Sequence, residues 1–360
     1  MTMKSILLIA ALLAPLASPA LAVDDALARK IMVNAVDGYV RPSYRALKDA
    51  AHGLSENTAA FCAAPSDDGL KGLKARFGDL VESWARIEIL REGPVLENNR
   101  YERILFYPDR KSTGQKQVQK ILADPDESDM DAARLAGKSV AVQGLGAYEM
   151  TFFGRGAGVV TSPDDADQCR FGLAVSRNIE TIAGELSAAW DAPDGVAKNW
   201  KEPGPANPVF RTGDEALQAM IGIFVHGIET VRDQRVKPFY KGATEKTSPR
   251  LALLWRSENT MHAIHGNVSG LADLWKTSDM RSLLTGDAEA LADAVEFDFK
   301  AAAGAAMKME QPTAERLADE KYLRKIDFLL FNLRDAGARI DRDVGAAVGL
   351  SAGFSFGDGD

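Results

Sequence analysis

After Val23 the apolar positions recur at three- and four-residue steps almost throughout, the spacing that lays one stripe along an α-helix. Leu217, Ile221, Phe224, Ile228 and Val231 form the clearest run, and Thr212-x-x-Glu215 ahead of them is a capping box. Ser248-Pro249 reads as another start, with the serine as N-cap and the proline at the first helical position. Leu251, Leu254, Met261, Ile264, Val268 and Leu271 would then form the buried face of that helix. Alanine-rich stretches from Ala288 to Met307 and from Thr313 to Val348 predict two more long helices. No stretch alternates apolar and polar residues with β-branched enrichment, so a sheet has no source. The pattern predicts an all-α protein.

Prolines and glycines punctuate this pattern. Asp191 to Phe210 carries Pro193, Pro203, Pro205 and Pro208 with Gly195 and Gly204, which the flanking helices cannot cross unbroken. The expected organisation is a helical bundle over 23–190, a connector over 191–211 and a second bundle over 212–360. The similar lengths of the two bundles permit an old duplication. Gly93 to Gly114, with Gly93-Pro94 and Tyr107-Pro108-Asp109, is too long for a simple connector and is a candidate functional loop.

The composition narrows the classes. The chain of 360 residues is 46% hydrophobic and 26% charged, values of an ordinary globular protein, so disorder and low complexity are excluded. A formal net charge of −8 gives no general surface for nucleic acid or anionic membranes. Residues 1–22 read as an export signal: Lys4, an apolar run from Ile6 to Leu13, helix-breaking Pro15 and Pro19, then Ala20-Leu21-Ala22 before a cleavage point. The run is too short to span a bilayer, and no cysteine near the cleavage point could carry a lipid. The expected location is periplasmic or secreted, with no transmembrane segment in the mature chain. In such an oxidising compartment Cys62 and Cys169 are the one intramolecular disulfide available, the alternative being two buried thiols.

Chemistry concentrates in Gly144-Leu145-Gly146-Ala147-Tyr148-Glu149. On a helix, Val142, Leu145, Glu149 and Phe152 share one face, so Glu149 interrupts an apolar stripe. A carboxylate there loses hydration and must be protonated, paired with a cation or bound to a metal, unless the helix bends and releases it to solvent. Arg103 or another nearby cation is the expected counter-charge, with Trp84 and Tyr148 as walls of a cleft and Asp109 as a polar group from the long loop.

The segment resembles the Gly-x-His-x-x-Glu motif of the imelysin peptidase family, in its exported, lipoprotein-like branch, with Gly146 where that motif has histidine. The resemblance continues through Pro42-Ser43-Tyr44, Phe61-Cys62-Ala63-Ala64-Pro65, Trp84 to Pro94, Arg103, Tyr107-Pro108-Asp109 and the C-terminal Ala352 to Asp360. It implies two fused helical bundles with the motif near the cleft between them, and an association with bacterial iron or metal acquisition in the cell envelope. In the family pattern the histidine and glutamate could share a divalent metal. Gly146 has no side chain, which removes that pair and the main support for a metallopeptidase.

The remaining histidines offer weaker options. His262-x-x-His265 places His265 between Met261 and Val268 on a buried stripe, a candidate metal pair whose alternative is an ordinary hydrogen-bonded core histidine. His226-x-x-Glu229 has the right spacing on a face expected to be solvated, and His52 is expected near a helix end. There is no His-Glu-x-x-His, P-loop, Gly-x-Ser-x-Gly or haem-attachment motif. The sequence therefore favours a non-catalytic exported protein that binds a small ligand or a metal ion, with iron or a divalent metal as candidate cofactor and envelope iron-uptake components as candidate partners. A metallopeptidase with other ligands and an envelope assembly protein are the alternatives.

Overall fold

Helices begin where the sequence supplies caps. The computed structural model describes residues 23–154 and 166–350, so the expected export signal and the C-terminal stretch Ala352 to Asp360 lie outside the described residues. Asp24 accepts a hydrogen bond from the Ala26 N–H to open α1, Asp25–Ala35. A π turn, Val36–Val40, joins α1 to α2, Arg41–Ala63, at the point where Pro42 has no N–H for the helical ladder. Ser66 caps α3, Asp67–Ile87, by accepting from the Gly69 N–H at 3.1 Å, and Asp67 and Asp68 favour its positive end. The expected functional loop holds a short helix, α4, Arg100–Ile104, before α5, Thr113–Ala123. Then come α6, Ala132–Leu135, α7, Leu145–Phe153, and α8, Ala166–Asp191.

The Pro/Gly-rich stretch contains one short helix, α9, Val196–Lys201. Next, α10, Gly213–Glu229, starts at the expected capping box. Thr212 Oγ1 accepts from the Glu215 N–H at 3.2 Å, while Glu215 Oε2 accepts from Arg211 N–H at 2.6 Å, one residue before the position of the standard box. Its apolar stripe is buried throughout, and it continues into a π turn, Thr230–Val236. The helix expected from Ser248 is different: Pro249–Leu251 makes only a 3-10 turn, Leu251 is 57% exposed, and α11 runs from Thr260 to Ser278. Residues 252–259 are irregular instead. The chain ends in α12, Glu289–Met307, α13, Glu320–Ala338, a π turn Arg339–Val344, and α14, Gly345–Val348. Every regular element among the described residues is helical, and none is long and apolar enough to cross a membrane.

α2 lies between α3 and α8, while α12 packs against both α11 and α13. A seam between α3 and α11 joins stretches far apart in the sequence. Small residues permit it: a Cβ on Gly270 would collide with the Arg86 carbonyl and the Tyr39 hydroxyl, and one on Gly266 would press on Glu82 and Ala85. Polar pairs lace its edge. Glu82 and Arg86, one turn apart, do not pair with each other; Glu82 meets His265 at 3.3 Å and Arg86 bonds Asp273. Cys62 at the end of α2 and Cys169 at the start of α8 form a disulfide across 107 positions.

Candidate functional site

Gly144 sets the position of α7. It is the extended N-cap residue, and any Cβ there would run into the carbonyl oxygens of Arg103 and Ile104. The helix that follows buries Leu145, Glu149 and Phe152 on one side, as the spacing predicts, and Glu149 is only 3% exposed. The groups that balance it come from the irregular segment before α11. Leu254 and Glu258 both adopt left-handed backbone, φ 52° and 64°, an arrangement that costs non-glycine residues about 1–3 kcal/mol each. Between them the Arg256 and Ser257 N–H groups both donate to Glu149 Oε1, at 3.1 and 3.0 Å, and Ser257 Oγ donates to the same oxygen at 2.8 Å. Arg256 Nη1 lies 3.8 Å from Oε2. That guanidinium is fixed in turn by Gln115 Oε1 at 3.0 Å and by the face of Trp255, 4.6 Å away.

Burial pushes the Glu149 carboxyl above the ordinary glutamate range; the Ser257 and Arg256 contacts pull it back without cancelling that rise. Together these contacts clamp α7 to the segment before α11. The expected acid is buried and paired, and its cation is Arg256 rather than Arg103.

The other expected site residues take separate posts. Arg103 donates to Gln143 Oε1 at 2.8 Å and Asn178 Oδ1 at 3.1 Å, which holds α4 to α8 and leaves its charge committed there. Asp109 accepts from the Thr113 and Gly114 N–H groups and starts α5. Tyr148 is inside the core, stacked on Phe77 at 5.2 Å with its hydroxyl sharing a hydrogen bond with Thr58, so it lines no cleft. Trp84 is equally buried and packs on Tyr101 at 5.4 Å. Gly146 differs: a Cβ there would meet nothing within 4 Å, so the place of the motif histidine is open but has no donor.

The histidines do not converge. His262 is exposed, while His265 is half-buried against Glu82 and Ser269 and is not a core residue. His226 pairs with Glu229, half-buried on a face that had been expected to be solvated. His52 lies in the middle of α2, bonded to Glu180 at 2.7 Å, rather than near a helix end. Among the described residues no group of three or more His, Cys, Asp or Glu side chains could hold a metal. The donor set therefore does not fit a resident metal at Glu149, whose Oε1 is already engaged by three donors.

A second buried charge pair was not foreseen. Arg235 and Glu88, each 1% exposed, meet at 2.8 Å. Asn267 Nδ2 donates to Glu88 Oε1 at 2.6 Å and to the Ala85 carbonyl at 2.7 Å, tying α11 to the end of α3. Tyr107 covers the Arg235 guanidinium from 5.4 Å, and its hydroxyl donates to the Leu251 carbonyl. Arg235 Nη1 and Asn267 Oδ1 have no hydrogen-bond partner among the described residues. The signal was present in the sequence, since Arg235 falls four residues beyond Val231 on the extension of an apolar stripe.

These features define an all-helical protein organised around a Gly-x-Gly-x-x-Glu helix clamped across the molecule. The chain belongs to the imelysin family: residues 40–341 match Imelysin (Peptidase_M75). An imelysin-like protein from Psychrobacter arcticum 273-4 shares the fold with a TM-score of 0.74 at 18% identity, covering 92% of this chain and 98% of its own. A candidate iron-regulated protein A precursor from Parabacteroides distasonis ATCC 8503 aligns with a TM-score of 0.70 at 14% identity, covering 89% and 96%. No curated protein matches the chain.

Proposed function

We propose that this chain is an exported, non-catalytic imelysin-family protein that serves bacterial iron acquisition at the cell envelope by binding rather than by turnover. The Glu149 clamp carries this reading. A motif whose histidine is replaced by Gly146, and whose glutamate is engaged by Ser257 and Arg256, has no free base and no ligand pair for activating water. The iron association is supported by the family membership and by the description of the Parabacteroides distasonis relative as an iron-regulated protein. Export is supported by the sequence of residues 1–22 and agrees with the Cys62–Cys169 disulfide.

The test joins two measurements. Purified mature chain should cleave no peptide with or without chelator, and its metal content should be the same in wild type and Glu149→Gln. A strain lacking the chain should grow more slowly than wild type on chelated, iron-poor medium and recover on complementation. Chelator-sensitive cleavage, or growth indifferent to iron supply, overturns the reading.

A further inference from the structure

α12 and α13, with His265 of α11, line a groove of about 840 Å³, far from the Glu149 clamp in sequence. Four of the seven exposed large hydrophobic side chains among the described residues lie on these two helices: Phe297 (65%), Met307 (65%), Phe328 (50%) and Phe331 (51%). Phe297, Ala301, Gly304 and Ala305 follow one face of α12 and line the groove, with Lys308 at the C-cap. Ala301, Ala303, Gly304 and Ala305 supply small residues to the lining, and Phe297 and Phe328 supply aromatic ones. From Phe297 to Met307 the lining part of α12 covers eleven residues of helix, about 16 Å, the length of three turns.

The charge of the groove is opposite to that of the protein. The chain carries −8, yet the lining includes Lys300, Lys308, Arg324 and Lys325 and no Asp or Glu. None of the three lysines has an ion-pair partner among the described residues, and Arg324 has only an exposed contact with Glu320 at 3.4 Å. Cationic groups left unpaired around an apolar trough select an occupant with apolar anchors and acidic flanks.

We propose that the α12–α13 groove docks an acidic amphipathic helix of about three turns from a partner protein. The experiment selects a displayed library of random 16-residue peptides on the full mature chain, with the Lys300→Glu/Lys325→Glu variant as counter-target. The expected winners carry Leu or Phe at i, i+3 or i+4, and i+7 with Asp or Glu beside them. A synthetic winner should lose at least tenfold in affinity on Lys300→Glu/Lys325→Glu and on Gly304→Leu. Gly304→Leu adds bulk to the lining where a Cβ meets nothing within 4 Å, so its circular dichroism should match wild type. The proposal is overturned by failure to enrich, by winners without acidic residues, or by affinity unchanged in both variants. It is equally overturned if the wild-type groove instead floats with phosphatidylglycerol vesicles, or if the two variants abolish a self-association seen by sedimentation. A tenfold gain in peptide affinity on deleting residues 351–360, which contain Phe354, Phe356, Asp358 and Asp360, would assign the groove to the chain's own end.

Discussion

Glu149 shows how a single acid can be both legible and misleading. Its place on an apolar stripe marks it as buried, but a stripe cannot say what meets it. Two of its partners are backbone N–H groups, which every residue but proline has, so no side-chain pattern could announce them. The buried acid also sets a pH dependence. Its folded pKa lies above the unfolded value of about 4.3, so the folded state holds the proton more tightly. The stability this group contributes is full below about pH 4.3 and is lost as pH rises through the folded value. Wild type should therefore lose melting temperature relative to Glu149→Gln on going from pH 4 to pH 8; a gap that stays constant would refute the assignment. The Arg235–Glu88 pair makes a sharper demand. Arg235→Met leaves Glu88 buried without its cation and should cost about 3–5 kcal/mol in urea titrations, most of it regained in Glu88→Met/Arg235→Met.

At the scale of elements, periodicity and caps were enough for α10, whose every expected stripe residue is buried. They failed at α11. Ser248-Pro249 is a good local start signal, and it does nucleate a turn, but the chain then spends residues 252–259 on irregular backbone, left-handed at Leu254 and Glu258, that reaches Glu149 more than a hundred positions earlier. A contact at that separation overrides a local preference worth a fraction of it. Asn259 is the N-cap residue of α11, and its side chain makes no capping bond there. The histidine faces were misjudged for a related reason, because π turns and neighbouring helices decide exposure beyond a 100° wheel. Two glycines of one motif should separate in their response. Gly144→Ala sets a Cβ against two carbonyls of α4 and should destabilise by about 1–3 kcal/mol. Gly146→Ala meets open space inside a helix and should stabilise by about 0.5–1 kcal/mol. Equal effects in denaturant titrations would contradict the placement of α7.

For the molecule as a whole, the all-α class followed from the absence of any strand pattern, and the motif segment is helical over Leu145–Phe153. What sequence could not supply was the seam. Whether α3 and α11 touch depends on glycines whose value appears only when another backbone arrives beside them. The disulfide was reachable by counting, since two cysteines in a chain whose sequence reads as exported allow one bridge. Its loop of 107 positions should stabilise the folded state by up to about 4–5 kcal/mol, seen as a lower urea midpoint after reduction or in Cys62→Ser/Cys169→Ser.

That bridge has one more consequence, which concerns damage rather than folding. A protease cut anywhere between Cys62 and Cys169 opens the chain inside a covalent ring, so the two pieces stay joined. Nicked protein would migrate as one band on a non-reducing gel and separate only when thiol is added.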